Sequence, residues 1–269
     1  MLYAPAMQLA DAFRSTPGTV LVVTGAGISL ASGIPTFRGT DPGAVWKRDV
    51  TELGTVRYFE EEPEGSWSWY LSRFDSVRDA KPNAGHHALA ALERWCASRS
   101  LPFLLVTQNV DGLHPAAGST ALVEVHGSAR KVRCASYGCE LGAPRGSIAR
   151  DSVDMAAFLA APTRDNVPRC PACGDFLRQH VLWFDELYNS HADYQWTRVL
   201  RASEEAKLVL FVGTSFSVGV TDLVVTSGRE RGATMFSIDP APTPAPDVVS
   251  IREPSEVVLP ALVSALSGV

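Results

Sequence analysis

Four cysteines of this chain fall into two close pairs, Cys134 with Cys139 and Cys170 with Cys173. Two short-spaced pairs in one chain are what a tetrahedral four-cysteine zinc site requires. Thiolates at all four positions leave no open coordination place, so the predicted ion, one Zn2+ per chain, is structural rather than reactive. His126 follows a β-branched run, Val-Glu-Val, and precedes Gly127, a context that projects it from a strand end. A neutral imidazole with an unperturbed pKa of roughly 6.5 suits a general base, a role worth about 10²–10⁴-fold, although a lone histidine is often structural. The turn Gly25-Ala26-Gly27, entering a helix near Ser29, offers backbone N–H groups and a positive helix end to a phosphate. Taken by itself it is equally a tight strand-to-helix turn with no ligand. Leu30 stands where a dehydrogenase fingerprint needs glycine, and no acidic residue closes a second strand about twenty residues on, which speaks against hydride chemistry. Gln108, Asn109 and Asp111, in Thr-Gln-Asn-Val-Asp, supply donors and acceptors for an amide and a diol.

These groups need a scaffold, and the sequence supplies one. Short apolar runs at 19–24, 103–107, 208–212 and 234–238 read as buried parallel strands, each delivering polar or glycine-rich residues at its C-terminal end. Helical patterns lie between or after them at 84–98, with Asn83 as N-cap, and at 191–206, 222–231 and 255–266. Alternating strands and helices predict an α/β fold: a Rossmann-like parallel sheet with helices on both faces and a ligand cleft outside the carboxyl ends of the strands. Two stretches interrupt the alternation, 40–82, partly helical, and 130–179, which carries the cysteines. Together they predict a smaller lobe beside a large one formed by 1–39, 83–129 and 180–269, within one catalytic domain spanning 1–269.

Composition limits the partners. The chain of 269 residues is 46% hydrophobic and carries a net charge of -5, with no local basic cluster, so direct nucleic-acid binding is not expected and a zinc-ribbon nucleic-acid module is disfavoured. No apolar run approaches the roughly 20 residues of a membrane helix. The opening segment lacks a basic start and a continuous apolar stretch, so no secretory signal is visible and the expected location is cytoplasmic. Cys96, on a predicted helix, reads as a small buried hydrophobe.

Three motifs in order, GAGISLASGIPTFRG at 25–39, TQNVDGLH at 107–114 and VHG at 125–127, resemble those of the sirtuins, the NAD-dependent protein deacylases. The resemblance runs from about Thr19 to the C-terminus. It implies that NAD is a co-substrate, that an acyl group passes from lysine to ADP-ribose with release of nicotinamide, and that acylated lysine side chains of proteins are the partners. By the same resemblance Gly25, Ala26, Gly27 and Ser29 cradle the pyrophosphate, Phe37 covers the reacting ribose, and Arg38 orients the phosphate and ribose side. Thr36 stands where some members have Asp. Gln108 and Asn109 contact the nicotinamide ribose and ordered water, Asp111 holds the carboxamide, and His126 is the base. Gly213, Thr214 and Ser215 match a second nucleotide-contacting turn; Asp239 stands where many sirtuins have Asn against the adenosine ribose. Ser255 lies in a C-terminal segment that contacts adenine. Val181, Trp183 and Phe184 belong to the strand that pairs with the substrate peptide, but Asp185 replaces the usual Gly there, a change that could alter backbone pairing or repel acidic peptides.

Tyr70 and Arg73 lie three apart on a predicted helix and can share a face, where a guanidinium fork and a phenol could grip a carboxylate. The alternative is an amphipathic helix with a solvated Arg. Sirtuins that remove acidic acyl groups, the desuccinylase/demalonylase type of bacteria and mitochondria, carry a Tyr-x-x-Arg pair just before a PNAGH-like segment, here Pro82 to His86. The resemblance therefore implies succinyl- or malonyl-lysine as preferred substrate, with acetyl-lysine also accepted. Two other outcomes stay open: a sirtuin-type NAD hydrolase or ADP-ribosyltransferase, and a non-catalytic NAD or ADP-ribose sensor.

Overall fold

The computed structural model describes residues 4–35 and 49–268. Nine strands are present among them: β1 (Thr19–Thr24), β2 (Phe103–Thr107), β3 (Leu122–Glu124), β4 (Gly127–Cys134), β5 (Ile148–Ala149), β6 (Leu177–Val181), β7 (Ala206–Val212), β8 (Thr234–Ile238) and β9 (Val248–Ile251). Six of them form one all-parallel sheet in the order β3-β2-β1-β7-β8-β9.

A strand covered on both faces is apolar on both of them along its interior, because successive side chains point to opposite sides. β1 shows this directly. Val20 and Val22 join a core with Leu105, Leu208, Leu210 and Phe236, whereas Leu21 and Val23 join another with Leu104, Val106, Val209 and Phe211. Among the described residues ten α-helices accompany the strands: α1 (Ala4–Ser15), α2 (Asp49–Leu53), α3 (Val56–Glu61), α4 (Pro63–Arg78), α5 (Ala84–Ser98), α6 (Leu113–Ala116), α7 (Ala156–Ala160), α8 (Trp196–Glu205), α9 (Gly219–Arg231) and α10 (Ser255–Ser267). The first core is closed by α1, α5 and α10, the second by α8 and α9. The result is the expected three-layer α/β arrangement, with the carboxyl ends of β1, β2, β3, β7 and β8 along one edge.

A second, three-stranded antiparallel sheet has the order β5-β4-β6. Its core unites the two interrupting stretches: Phe59, Trp67, Tyr70 and Phe74 from α3 and α4 pack with Val132, Cys134, Phe158, Leu177 and Trp183. No helix among the described residues is long and apolar enough to cross a membrane.

Local signals account for several boundaries. Asn83 caps α5 as predicted, its Oδ1 accepting from Gly85 N at 2.9 Å. The Gly25 turn leads into a 3-10 helix, Ala26–Ser32, that ends at Gly33 in the left-handed region, φ 83°. The helix expected at 191–206 is instead a 3-10 turn, Ala192–Tyr194, followed by α8, because Gln195 between them adopts φ 45° and breaks the helical path.

Candidate active site

The two glycine turns at the sheet edge are interlocked. Gly27 N donates to Gly213 O at 2.9 Å and Gly25 N to Val212 O at 3.0 Å. A Cβ on Gly25 would lie 2.7 Å from Gly213 O, and one on Gly27 2.6 Å from Gly213 Cα, so backbone meets backbone and no side chain fits. Gly213 itself sits at φ 60°.

Beside these turns the end of β2 delivers a connected polar network. Gln108 Nε2 donates to Thr24 O and to Thr214 Oγ1, each at 3.2 Å. Asn109 Nδ2 donates to Gly25 O and Ser29 Oγ, each at 3.1 Å. Ser29 Oγ donates in turn to Asp111 Oδ2 at 2.7 Å, and Leu113 N donates to Asp111 Oδ1 at 2.9 Å. Asp111 is buried, and the loss of hydration raises its carboxyl above the usual range against the pull of those donors. Behind the network, His114 Nε2 lies 3.0 Å from Thr24 Oγ1 and His86 Nε2 lies 3.5 Å from Ser29 Oγ, with the two rings 4.8 Å apart. Burial pushes His86 down to about 4 and His114 to about 3, so both are neutral at pH 7. His86 was not singled out by the sequence; its position three residues after the Asn83 cap was the available signal.

His126 emerges just past β3, where Val125 N donates to Thr107 O at 3.0 Å. Its Nδ1 lies 2.9 Å from Gln108 O. A carbonyl only accepts, so Nδ1 carries the proton and Nε2 is left as the acceptor. Burial lowers the imidazole to about 4, partly opposed by the Gln108 carbonyl. The ring is therefore more firmly neutral at pH 7 than an unperturbed histidine.

Other predicted residues divide by exposure. Thr214 is buried, whereas Ser215 is exposed and contacts Ser217 Oγ at 2.5 Å. Asp239, following β8, accepts from Ala241 N at 2.8 Å and is raised by partial burial. Ser255 is buried at the start of α10. Thr36, Phe37 and Arg38 lie outside the described residues.

On the second lobe, Tyr70 is buried beside Trp183, with ring centroids 6.4 Å apart, and Arg73 lies over the Trp69 ring at 4.4 Å. Burial raises Tyr70 well above the ordinary phenol range. Both side chains thus belong to the aromatic cluster of α4, each against a different ring. Val181 ends β6, Trp183 is buried beneath Arg178 at 3.2 Å, and Phe184 is 55% exposed.

The segment after β6 is fixed by two devices that the sequence did not reveal. Asp185 accepts from Val56 N at 2.8 Å and Arg57 N at 3.3 Å, so its carboxylate caps α3. Glu186 accepts two hydrogen bonds from Arg178 at 2.9 Å, one from Arg133 at 2.5 Å and one from Trp183 N at 3.0 Å.

The cysteines come together despite their unequal loops. Cys134 Sγ lies 3.4 Å from Cys173 Sγ, Cys139 Sγ lies 3.7 Å from Cys170 Sγ, and all four sulfurs fall within 4.8 Å of one another. Ligands about 2.3 Å from a tetrahedral centre are about 3.8 Å apart, so the donor set and spacing fit zinc and are too wide for disulfides. A second group, His180, His191 and Asp193, is also close. His191 Nε2 faces Gly146 O at 3.1 Å and must donate, while its Nδ1 accepts from Asp193 N at 3.1 Å, leaving that ring no lone pair for a metal. Lys131 Nζ and Ser147 Oγ occupy the Asp193 carboxylate at 2.9 and 3.0 Å. His180 Nε2 lies 3.2 Å from the same carboxylate, so Asp193 is engaged from three sides within the protein.

A parallel α/β sheet with interlocked glycine turns, a polar edge and a four-cysteine module defines a nucleotide-binding fold with a metal-stapled lobe, and comparison with known proteins makes it specific. Residues 25–220 match the Sir2 family. The NAD-dependent protein deacylase of Thermus thermophilus is 42% identical over 226 residues, 84% of this chain and 80% of the relative. The NAD-dependent protein deacetylase of Sulfolobus acidocaldarius is 35% identical over 266 residues, 98% of this chain and 96% of the relative. Among solved structures, a mutant Sir2 homologue in complex with ADP-ribose superposes with TM-score 0.80 at 33% identity, covering 97% of this chain and 96% of that one. A Sir2–p53 peptide–NAD+ complex superposes with TM-score 0.74 at 27% identity, covering 97% of each. The chain belongs to the Sir2 family.

Proposed function

We propose that the chain is an NAD-dependent protein-lysine deacylase, with His126 as general base. The observation that carries this reading is the His126 imidazole, locked by Gln108 O with an acceptor nitrogen at the sheet edge where Asn109, Asp111 and the glycine turns converge. NAD supplies the electrophilic ribose carbon and the nicotinamide leaving group. Gly25, Ala26, Gly27, Gly213, Thr214 and Ser215 would hold its phosphates and adenosine side, with Asp239 and Ser255 beyond them. Asp111, buried and already ordered by Ser29 and Leu113, would fix the carboxamide, and Asn109 would orient the ribose. His126 Nε2 would take the proton of a ribose hydroxyl. Thr36, Phe37 and Arg38 keep the roles that the resemblance implies. Zinc on Cys134, Cys139, Cys170 and Cys173 would hold the smaller lobe together by tying the end of β4 to the segment before β6.

Acyl preference rests on Tyr70 and Arg73. Their spacing on α4 supports a carboxylate-ended acyl group, succinyl or malonyl, delivered by a peptide lying along Val181, Trp183 and Phe184. The test is Arg73→Met assayed with matched succinyl-, malonyl- and acetyl-lysine peptides. The acidic substrates are expected to lose about tenfold or more, as charged hydrogen bonds of roughly 1.5–3 kcal/mol imply, while acetyl turnover changes little. An equal loss on all three would sink the carboxylate role.

A further inference from the structure

One side chain outside the family motifs touches the His126 ring. Tyr188, seven residues past the end of β6, places its hydroxyl 3.3 Å from His126 Nε2. Its ring lies 5.7 Å from the imidazole at an interplanar angle of 24°. On its other side Trp196, the first residue of α8, stacks at 4.3 Å and 13°. The three rings form one continuous stack, His126–Tyr188–Trp196.

The direction of these contacts is determined. Nδ1 of His126 gives its proton to Gln108 O, so Nε2 can only accept, and the Tyr188 hydroxyl must be the donor. An imidazole held at Nδ1 alone can still swing about that bond. The stacked phenol removes that freedom, and Trp196 in turn removes the freedom of the phenol. Tyr188 pairs with the same nitrogen that a ribose hydroxyl would use, so it marks the acceptor direction before the ligand arrives.

We propose that Tyr188, backed by Trp196, is a positioning residue for His126: it fixes the imidazole plane with Nε2 facing the cleft and yields that nitrogen to the ribose hydroxyl. The inference rests on the reading of His126 as base. It does not assign Tyr188 any bond-making step.

The test uses the zinc-loaded 269-residue protein and three variants, Tyr188→Phe, Tyr188→Leu and Trp196→Leu, each with thermal melting measured. Two readouts are taken. The first is steady-state deacylation, where a base displaced by about 1 Å can cost on the order of 10²-fold. Tyr188→Leu and Trp196→Leu are expected to lower kcat about tenfold or more with KM for NAD within about twofold, and Tyr188→Phe, which keeps the stack, to retain most of kcat. The second is ¹⁵N-histidine NMR of the ligand-free protein, which reports the His126 tautomer without any turnover. The wild type is expected to show a protonated Nδ1, and both leucine variants a shifted or exchange-broadened His126 signal. Trp196→Leu carries the decisive weight if Tyr188→Leu does not fold, because no contact of Trp196 with His126 is involved. Folded leucine variants with wild-type kcat and an unchanged His126 signal would overturn the proposal, as would equal losses in kcat and in NAD affinity. A wild type without deacylase activity whose His126 signal still responds to the leucine variants would refute the proposed function and leave the positioning role standing.

Discussion

Replacing Glu186 with glutamine tests whether the segment after β6 is held by charge. The carboxylate side chain is only 10% exposed and the guanidinium groups of Arg133 and Arg178 are 3% and 5% exposed. Arg178 binds both carboxylate oxygens, Arg133 one, and Trp183 N one more. Glu186→Gln keeps the shape and removes the charge, leaving two neighbouring cations without their shared anion. Breaking such a buried network from one side costs about 3–5 kcal/mol. For a chain of this size each kcal/mol moves the melting temperature by roughly 2–4 °C, so a fall of about 6–20 °C is expected by calorimetry. The pH dependence has a definite sign. Burial alone would raise the Glu186 carboxyl, but the Arg178 and Arg133 charges and hydrogen bonds prevail and hold it below its ordinary value. Its folded pKa is therefore depressed, its stabilisation is complete above the unfolded value near roughly 4.3, and it is lost as pH falls through the folded value. The gap between wild type and Glu186→Gln should be widest at neutral pH and narrow in acid. A variant within about 1 kcal/mol of wild type at pH 7 would refute the reasoning, since that is the range of an exposed ion pair.

Other consequences follow from the site. His126→Ala should reduce turnover by at least about 10²–10⁴-fold while leaving the melting curve nearly unchanged. Because burial lowers His126 to about 4, the imidazole is neutral through the whole range above that value. The acid limb of kcat/KM should accordingly fall well below the roughly 6.5 of an unperturbed histidine, and a limb near that ordinary value would show that the ring is solvated. Metal analysis should find one zinc per chain, and its removal by a chelator should unfold the β4–β6 sheet, followed by circular dichroism; a metal-free protein with an unchanged melt would contradict the zinc assignment.

How much of this was readable in the sequence depends on how far apart the interacting residues stand. The alternation of apolar runs with helical patterns revealed the sheet, because a doubly covered strand such as 19–24 is apolar on both faces along its interior, Val20 to Val23. Asn83 and the paired cysteines were equally legible, being local signals of capping and of metal spacing. Glu186 was not, since one of its partners, Arg133, is 53 positions away and acidic residues are ordinarily solvated. Asp185 was noticed as a departure from the family, but its use as a cap for α3 depends on helix and strand meeting across 129 positions. Tyr188 carries no motif at all. Its significance appears only when β3 and the loop beyond β6 bring it to His126.

The most direct test of the account is incubation of the protein with NAD and acetyl-, succinyl- and malonyl-lysine peptides, following peptide mass and nicotinamide together. The account predicts nicotinamide release matched mole for mole by loss of the acyl group, with the acidic acyl peptides turned over fastest. Nicotinamide release with every peptide left at its starting mass would contradict it.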